Sequence, residues 1–120
     1  MVQEHIGSQA FINCPSIGNH RIQRNDGNRI VVIDSQILRF SHMQYQAVKV
    51  LLRGDSIHND ELIRAVYGDE SYVDALKSLD KLIYKIREKL RPLGLTIVNL
   101  DKCGYLLRDI PEKLNSYSKG

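Results

Sequence analysis

The chain has 120 residues, with 42% hydrophobic and 26% charged residues and a formal net charge of +3, values typical of an ordinary globular protein. At about 100–200 residues per domain we expect one folded domain, and neither a disordered nor a fibrous chain. The longest aliphatic run, Ile30–Ile33, is far shorter than the ~20 apolar residues of a membrane-spanning helix. Residues 1–11 contain no Lys or Arg, so no secretory signal is expected, and we predict a cytoplasmic protein.

Cysteine and histidine residues are too scattered for a metal or disulfide framework. Cys14 and Cys103 form no Cys-x-x-Cys pair, and the four histidines have no ligand partners at metal spacing. The chain also lacks the G-x-S-x-G, P-loop and H-E-x-x-H patterns. We therefore expect no metal, no cofactor and no enzymatic activity.

The predicted elements begin with β-strands. Residues 1–20 have no firm assignment, and a hairpin is predicted over Arg21–Val32. Its expected turn is Asn25–Asn28, because the Asp-Gly pair within it readily adopts positive φ. Further strands are predicted over Ile30–Ile33 and Ile37–Phe40, on either side of a short polar turn.

Two helices are predicted after these strands. Ser41 fits the N-cap of the first helix, and Gly54 ends it. The second helix is expected to begin near Asn59, with two acids in its first turn, and to stop near Gly68. The apolar residues at helical spacing are Met43, Ala47, Val50 and Leu51 in the first helix, and Leu62, Ile63 and Val66 in the second.

The third predicted helix is the clearest element. It extends from a capping box at Ser71 and Asp74 to Arg91, where Pro92 and Gly94 stop it. Five aliphatic residues spaced by 3, 4, 3 and 4 form one apolar stripe: Leu76, Leu79, Ile83, Ile86 and Leu90. The opposite face carries positive and hydrogen-bonding side chains, namely Lys77, Ser78, Lys81, Tyr84, Lys85 and Glu88, with Arg87 on its flank.

Charge is segregated along the chain. Residues 54–74 hold six acids and one base, whereas residues 77–91 hold six bases and two acids. Clustering of bases along one helix is typical of nucleic-acid binders. The alternative is an ordinary solvated face, in which Asp80 pairs with Lys77 or Tyr84 and Glu88 pairs with Lys85.

A second hairpin is predicted after the third helix. Its strands are Thr96–Leu100 and Tyr105–Leu107, and Gly104 between them is available for positive φ. Three helices followed by a hairpin with a lysine at its tip favour a DNA-binding arrangement, because such a hairpin can reach along the minor groove beside a helix in the major groove.

In this order, the elements resemble the winged helix-turn-helix domain of OmpR/PhoB-type response regulators over Arg29–Leu107. The run L-D-K-L-I-Y-K-I-R-E-K-L at residues 79–90 is similar to the family's recognition-helix pattern V-D-x-x-I-x-x-L-R-x-K-L. Gly104–Leu107 is similar to G-Y-R-L at the end of the family's wing. Further matches are Phe40-Ser41 at the family's Leu-Thr, Glu61-Leu62 at its E-L, and Val66-Tyr67-Gly68 at its V-W-G.

The resemblance implies an α+β fold of winged helix-turn-helix type, with N-terminal β-strands, three helices and a C-terminal β-hairpin wing. Residues 1–28 are then an N-terminal extension that can add strands to the sheet, residues 29–108 the DNA-binding domain, and residues 109–120 a tail expected to be mobile. The extension is too short for a receiver domain, so we do not expect control by phosphorylation of the protein's own receiver.

The resemblance also implies roles for single residues. The residue matching Lys85 contacts a base, and those matching Lys77, Ser78, Lys81, Tyr84, Arg87 and Tyr67 contact backbone phosphates. In the wing, Asp101 replaces the family's minor-groove arginine, so Lys102 becomes the substitute candidate, and Asn99 stands at the family's threonine. Asp69 and Glu70 occupy a loop that contacts RNA polymerase in some relatives.

These observations predict a transcriptional regulator that binds specific double-stranded DNA sequences, with its third helix in the major groove and its wing in the adjacent minor groove. The implied partners are duplex DNA, RNA polymerase and a second copy on direct-repeat sites, with no membrane. Asp101 at the wing favours the alternative, a winged-helix module that binds protein, as an anti-activator or polymerase-binding adaptor, and does not recognise DNA bases.

Overall fold

The computed structural model describes residues 10–68 and 72–111 as a mixed α+β structure of two antiparallel sheets and three helices. The side chains of residues 72 and 73 are not among those described. Several predictions fall outside this part of the chain: the cap at Ser71, the loop with Asp69 and Glu70, and residues 112–120 of the tail.

The first sheet has four strands, in the order β1-β2-β3-β4. They are β1 (Ile12–Asn13), β2 (Ile22–Asn25), β3 (Ile30–Ile33) and β4 (Gln36–Arg39). The pairing of Ile22 with Ile33 aligns the apolar residues of β2 and β3 on one face, and both side chains are buried. The strands before residue 29 are therefore hydrogen-bonded into the same sheet as β3 and β4.

Both turns of this sheet use left-handed residues other than glycine. The β3–β4 turn has positive φ at Asp34 (49°) and Ser35 (76°), as the mirror-image turns of two-residue hairpins require. The β2–β3 turn covers residues 26–29, one residue later than predicted, and its positive φ falls at Arg29 (54°). Asparagine and aspartate side chains brace this turn, since Asn25 Oδ1 accepts the Asn28 N–H at 3.0 Å.

Helix α1 (His42–Leu51) begins with the predicted N-cap at Ser41. The Ser41 hydroxyl accepts the Gln44 N–H, and the Gln44 side chain accepts the Ser41 N–H, which completes a capping box. Met43, one of the apolar residues at helical spacing, is 40% exposed, because the buried stripe of α1 runs through Tyr45, Val48 and Leu51.

Helix α2 (Asn59–Tyr67) and helix α3 (Tyr72–Leu90) follow. The N-cap of α2 is His58, whose ring nitrogen accepts the Asp60 N–H at 3.2 Å. Helix α3 ends one residue before the predicted Arg91, and a short 3-10 turn (Arg91–Leu93) follows it. Four residues of its predicted stripe are buried and Leu76 is half-buried; the buried ones are Leu79, Ile83, Ile86 and Leu90.

The second sheet has the order β5-β7-β6 and contains the C-terminal hairpin, which we define as β6 (Leu95–Leu100) and β7 (Gly104–Asp109). Its third strand is the short β5 (Ile57–His58). The prediction of positive φ at Gly104 was wrong, since the left-handed residues are Asp101 and Lys102. Gly104 is required for close packing instead, because an added Cβ would lie 2.1 Å from the Ile57 carbonyl oxygen.

One hydrophobic core joins the first sheet, the helices and the hairpin. It is built from aliphatic residues of every layer, together with Phe40, Tyr45 and Tyr105. No helix in the described ranges is both long and apolar enough to span a membrane. The fold thus leaves the polar face of α3 and the turn of the hairpin at the surface.

Candidate nucleic-acid interface

The outer face of α3 presents a row of exposed cations. Lys77, Lys81 and Lys85 are all exposed, and at 1.5 Å rise per residue the row spans about 12 Å. None of the three has a hydrogen-bond or ion-pair partner within residues 10–68 and 72–111. Ser78 and Tyr84 are exposed between them, the latter by 59%. We call the surface formed by these five side chains the lysine face.

Two acids of α3, Asp80 and Glu88, have partners outside this face. The Asp80 carboxylate accepts the hydroxyl of Tyr105 in β7 at 2.5 Å. Glu88 lies 3.5 Å from the Arg91 guanidinium, one turn further along the chain. The pairings expected for an ordinary solvated face, between these acids and Lys77, Tyr84 or Lys85, are therefore wrong. The lysine charges remain available to an anionic partner.

The C-terminal hairpin is clamped to α3 by two polar contacts. Besides the Tyr105–Asp80 bond, the Nε of Arg87 donates to the Ile97 carbonyl of β6 at 2.9 Å. Burial, together with the bond to Asp80, raises the pKa of the Tyr105 phenol well above its ordinary value, so the hydroxyl remains a donor. Arg87, predicted to contact a phosphate, is half-buried and uses one of its donors to hold the hairpin.

Lys89, one turn beyond Lys85, is bonded to other elements of the fold. Its ammonium donates to the Arg39 carbonyl at 2.5 Å and sits 4.9 Å from the centre of the Phe40 ring. A longer contact of 3.3 Å joins it to Gln44 in α1. Lys89 thus fastens the end of α3 to the first sheet and α1, and the exposed cations of the helix without a partner among the residues described are Lys77, Lys81 and Lys85.

The turn of the C-terminal hairpin lies at the surface. We define the hairpin tip as Asp101, Lys102 and Cys103, all of which are exposed. The Lys102 ammonium has no partner in the described part of the chain, and the neighbouring Asp101 carries the opposite formal charge. Asn99, predicted to contact DNA, is exposed and its Oδ1 accepts the Lys102 N–H at 3.2 Å.

The remaining predicted site residues lie outside this surface or outside the described residues. Tyr67, the last residue of α2, is half-buried and packs against the core. Asp69 and Glu70 belong to the stretch 69–71, which is not described. The predicted site is therefore brought together on α3 and at the hairpin tip, and not at these other positions.

Asn59 is a residue of this region that sequence reasoning did not single out. It is the first residue of α2, is 8% exposed, and donates from Nδ2 to the Lys102 carbonyl at 2.9 Å. Its backbone N–H donates to the Cys103 carbonyl at 2.9 Å. An asparagine before two acids looks like a helix start, and nothing in the local sequence indicates a contact 43 residues away.

Two polar clusters lie on the first sheet, away from α3. The buried Tyr45 hydroxyl donates to Asp26 at 2.6 Å, and Arg24 Nε donates to the same carboxylate oxygen at 3.0 Å. In the second cluster, Asp34 accepts the Arg21 N–H at 2.9 Å and lies 2.5 Å from His20 Nδ1. Among the residues described, no group of three or more His, Cys, Asp or Glu could hold a metal ion.

No family model matches this chain, and no curated protein matches it.

Proposed function

We propose that this protein is a transcriptional regulator of the OmpR/PhoB-type winged-helix class that binds double-stranded DNA sequence-specifically. Helix α3 enters the major groove, and the C-terminal hairpin acts as the wing over the adjacent minor groove. The observation that carries the proposal is the row of three exposed lysines on α3 that have no partner among the residues described, directly opposite a stripe of buried aliphatic residues.

The dimensions of α3 support a place in the major groove. Its 19 residues extend about 28 Å, and a groove about 12 Å wide admits one α-helix. Lys77 and Lys81, with the hydroxyls of the same face, contact phosphates and set the register of the helix. Lys85, in the second half of α3, reaches a base edge, where lysine suits the O6 and N7 acceptors of guanine.

The tip of the wing contributes a single cation to this complex. Lys102 lies at the hairpin tip and contacts the backbone at the minor groove, while Asp101 beside it repels the same phosphates. This wing therefore adds less affinity than one carrying an arginine and no acid. RNA polymerase and a second copy of the chain on direct-repeat sites are the further partners that the resemblance supports.

Selection of bound sequences from a random duplex pool tests the proposal and identifies the site. We expect enrichment of one motif, and binding of unselected duplex at low salt. With three to five phosphates neutralised, log K should fall against log salt with a slope of about −2.7 to −4.5, at roughly 0.9 per phosphate. An enriched motif with a slope in this range supports the proposal; unselective recovery of sequences contradicts base recognition.

Asp101 favours a second candidate function, a winged-helix module that binds an acidic protein surface through the lysine face. An acid at the hairpin tip repels the phosphates of DNA. It does not repel a protein partner that has a basic patch beside the acidic surface facing the lysine face. The absence of duplex binding at about 50 mM salt, where phosphate contacts are strong, would favour this module over DNA recognition.

A further inference from the structure

The hairpin tip has an unusual backbone for residues with side chains. Asp101 (φ 54°) and Lys102 (φ 68°) are consecutive left-handed residues, and neither is glycine. A bond from the Cys103 N–H to the Leu100 carbonyl at 2.9 Å closes the turn. Because L-residues disfavour this conformation, contacts from outside the turn must hold it.

Two asparagines from different elements supply these contacts, and both bind the backbone of Lys102. Asn99 of β6 accepts the Lys102 N–H at 3.2 Å, and Asn59 of α2 donates to the Lys102 carbonyl at 2.9 Å. Asn59 is buried, whereas the side chain of Lys102, whose backbone it bonds, is exposed. The residue directly after the tip is fixed as well, by the close approach of Gly104 to the Ile57 carbonyl.

We infer that Asn59 is a positioning residue for DNA binding, which fixes the backbone of Lys102 so that its ammonium is presented to a phosphate beside the minor groove. This inference rests on the proposed function. Asn59 itself does not contact DNA, since it is buried between α2 and the hairpin tip.

The physical basis is preorganisation of a surface turn. A lysine at the end of an unrestrained turn must be ordered when it binds, and that ordering reduces the affinity. A buried asparagine that joins the tip to α2 orders the turn in advance, within the same rigid unit as α3. Neutralising Lys102 should therefore remove the benefit of Asn59, whereas a purely structural asparagine would act independently of Lys102.

A double-mutant cycle measures this dependence through the salt slope of DNA binding. Lys102→Gln should make the slope shallower by about 0.9, the value for one phosphate contact. Asn59→Ala should also make the slope shallower, by up to about 0.9, because the ammonium is no longer held at the phosphate. The double variant should have the slope of Lys102→Gln alone.

Asn25→Ala is the matched control, since Asn25 is also a buried asparagine that braces a turn, but in the first sheet. It should lower thermal stability and leave the salt slope unchanged. If Asn59→Ala does not fold, Asn59→Ser, which retains a short polar residue but does not reach the Lys102 carbonyl, takes its place with the same expected slopes.

A wild-type slope in the folded Asn59 variant, or a further decrease in the double variant, would overturn the positioning role while leaving DNA binding intact. A wild-type chain that does not bind duplex would overturn the proposed function, and this inference with it. The two failures are therefore distinguished by the wild-type measurement alone.

Discussion

Lys81 and Lys85 lie one turn apart on the lysine face, yet we expect their removal to have different effects. Lys85→Ala should reduce discrimination at one base position by about 1–3 kcal/mol, because it deletes a contact to a base edge. Lys81→Ala should weaken binding to all sequences alike and make the salt slope shallower by about 0.9, because it deletes a phosphate contact. Affinities for the selected site and for single-base variants of it, measured against salt, test both expectations.

Arg39→Ala is the control for these two variants. It removes one exposed positive charge from β4 of the first sheet, which contributes no residue to the lysine face, and should change neither the base preference nor the slope by a comparable amount. Equal losses across every sequence for both lysine variants would remove the base-contacting role from Lys85.

Asp34 makes the stability of the first sheet dependent on pH. The backbone N–H of Arg21 and then the His20 ring hold the pKa of the Asp34 carboxyl below its ordinary value. Because the pKa is lower in the folded chain, the carboxylate stabilises the fold fully above about pH 4 and loses this effect as the pH falls through the folded-state pKa. Asp34→Asn, which keeps an acceptor for Arg21 and tolerates positive φ, should therefore melt below wild type at neutral pH and approach it in acid.

Thermal unfolding of wild type and Asp34→Asn between about pH 2 and pH 7 measures this effect, since that interval covers the ordinary Asp pKa. Asp101→Asn is the matched control, because Asp101 also has positive φ (54°) but no partner among the residues described. It should change the pH dependence little. A constant difference in melting temperature between Asp34→Asn and wild type across the interval would contradict the role of the charge.

Helix α3 is the element on which both proposals depend. The unfolding free energies of variants test which of its faces packs against the core. Leu79 and Ile86 are completely buried, so truncating either to alanine should cost about 2–5 kcal/mol of unfolding free energy. Tyr84→Ala, on the opposite face of the same helix, should change stability by no more than about 0.5 kcal/mol. Urea unfolding of the three variants gives these values. Normal stability of the core variants, combined with poor DNA binding, would mean that the opposite face of α3 packs against the core.

The elements were predictable from the sequence where a repeated pattern marks them. The aliphatic spacing of α3 defined its buried side, and Ser41 marked the start of α1. Periodicity gives the angular position of a side chain on its helix but not its partner. The contacts of Arg87 with Ile97, Lys89 with Arg39 and Asn59 with Lys102 join residues distant in sequence, so they could not be predicted. The exposed lysines were predictable because exposed side chains need no partner.

At the scale of the whole molecule, the first sheet is part of the fold that supports α3. Ile17 and Ile22, both before residue 29, belong to the common core, and the Asp26 carboxylate accepts the buried Tyr45 hydroxyl of α1. The turn at residue 18 also approaches the end of the hairpin, since a Cβ on Gly18 would lie 2.2 Å from the Asp109 carboxylate. The N-terminal strands therefore contact both the helices and the C-terminal hairpin.

We expect a chain shortened to residues 29–108 to be much less stable than the full chain. Each buried isoleucine contributes roughly 1.5–3 kcal/mol, and the loss of β2 also leaves the Tyr45 hydroxyl buried without its acceptor. Together these losses are comparable to the ~5–15 kcal/mol that stabilises a typical domain. Thermal unfolding should show a large decrease in melting temperature or no cooperative transition, whereas a chain beginning at Ala10 keeps both N-terminal strands and should unfold cooperatively. Equal melting temperatures for the two shortened chains would mean that the first two strands are an independent addition to a fold that begins at β3.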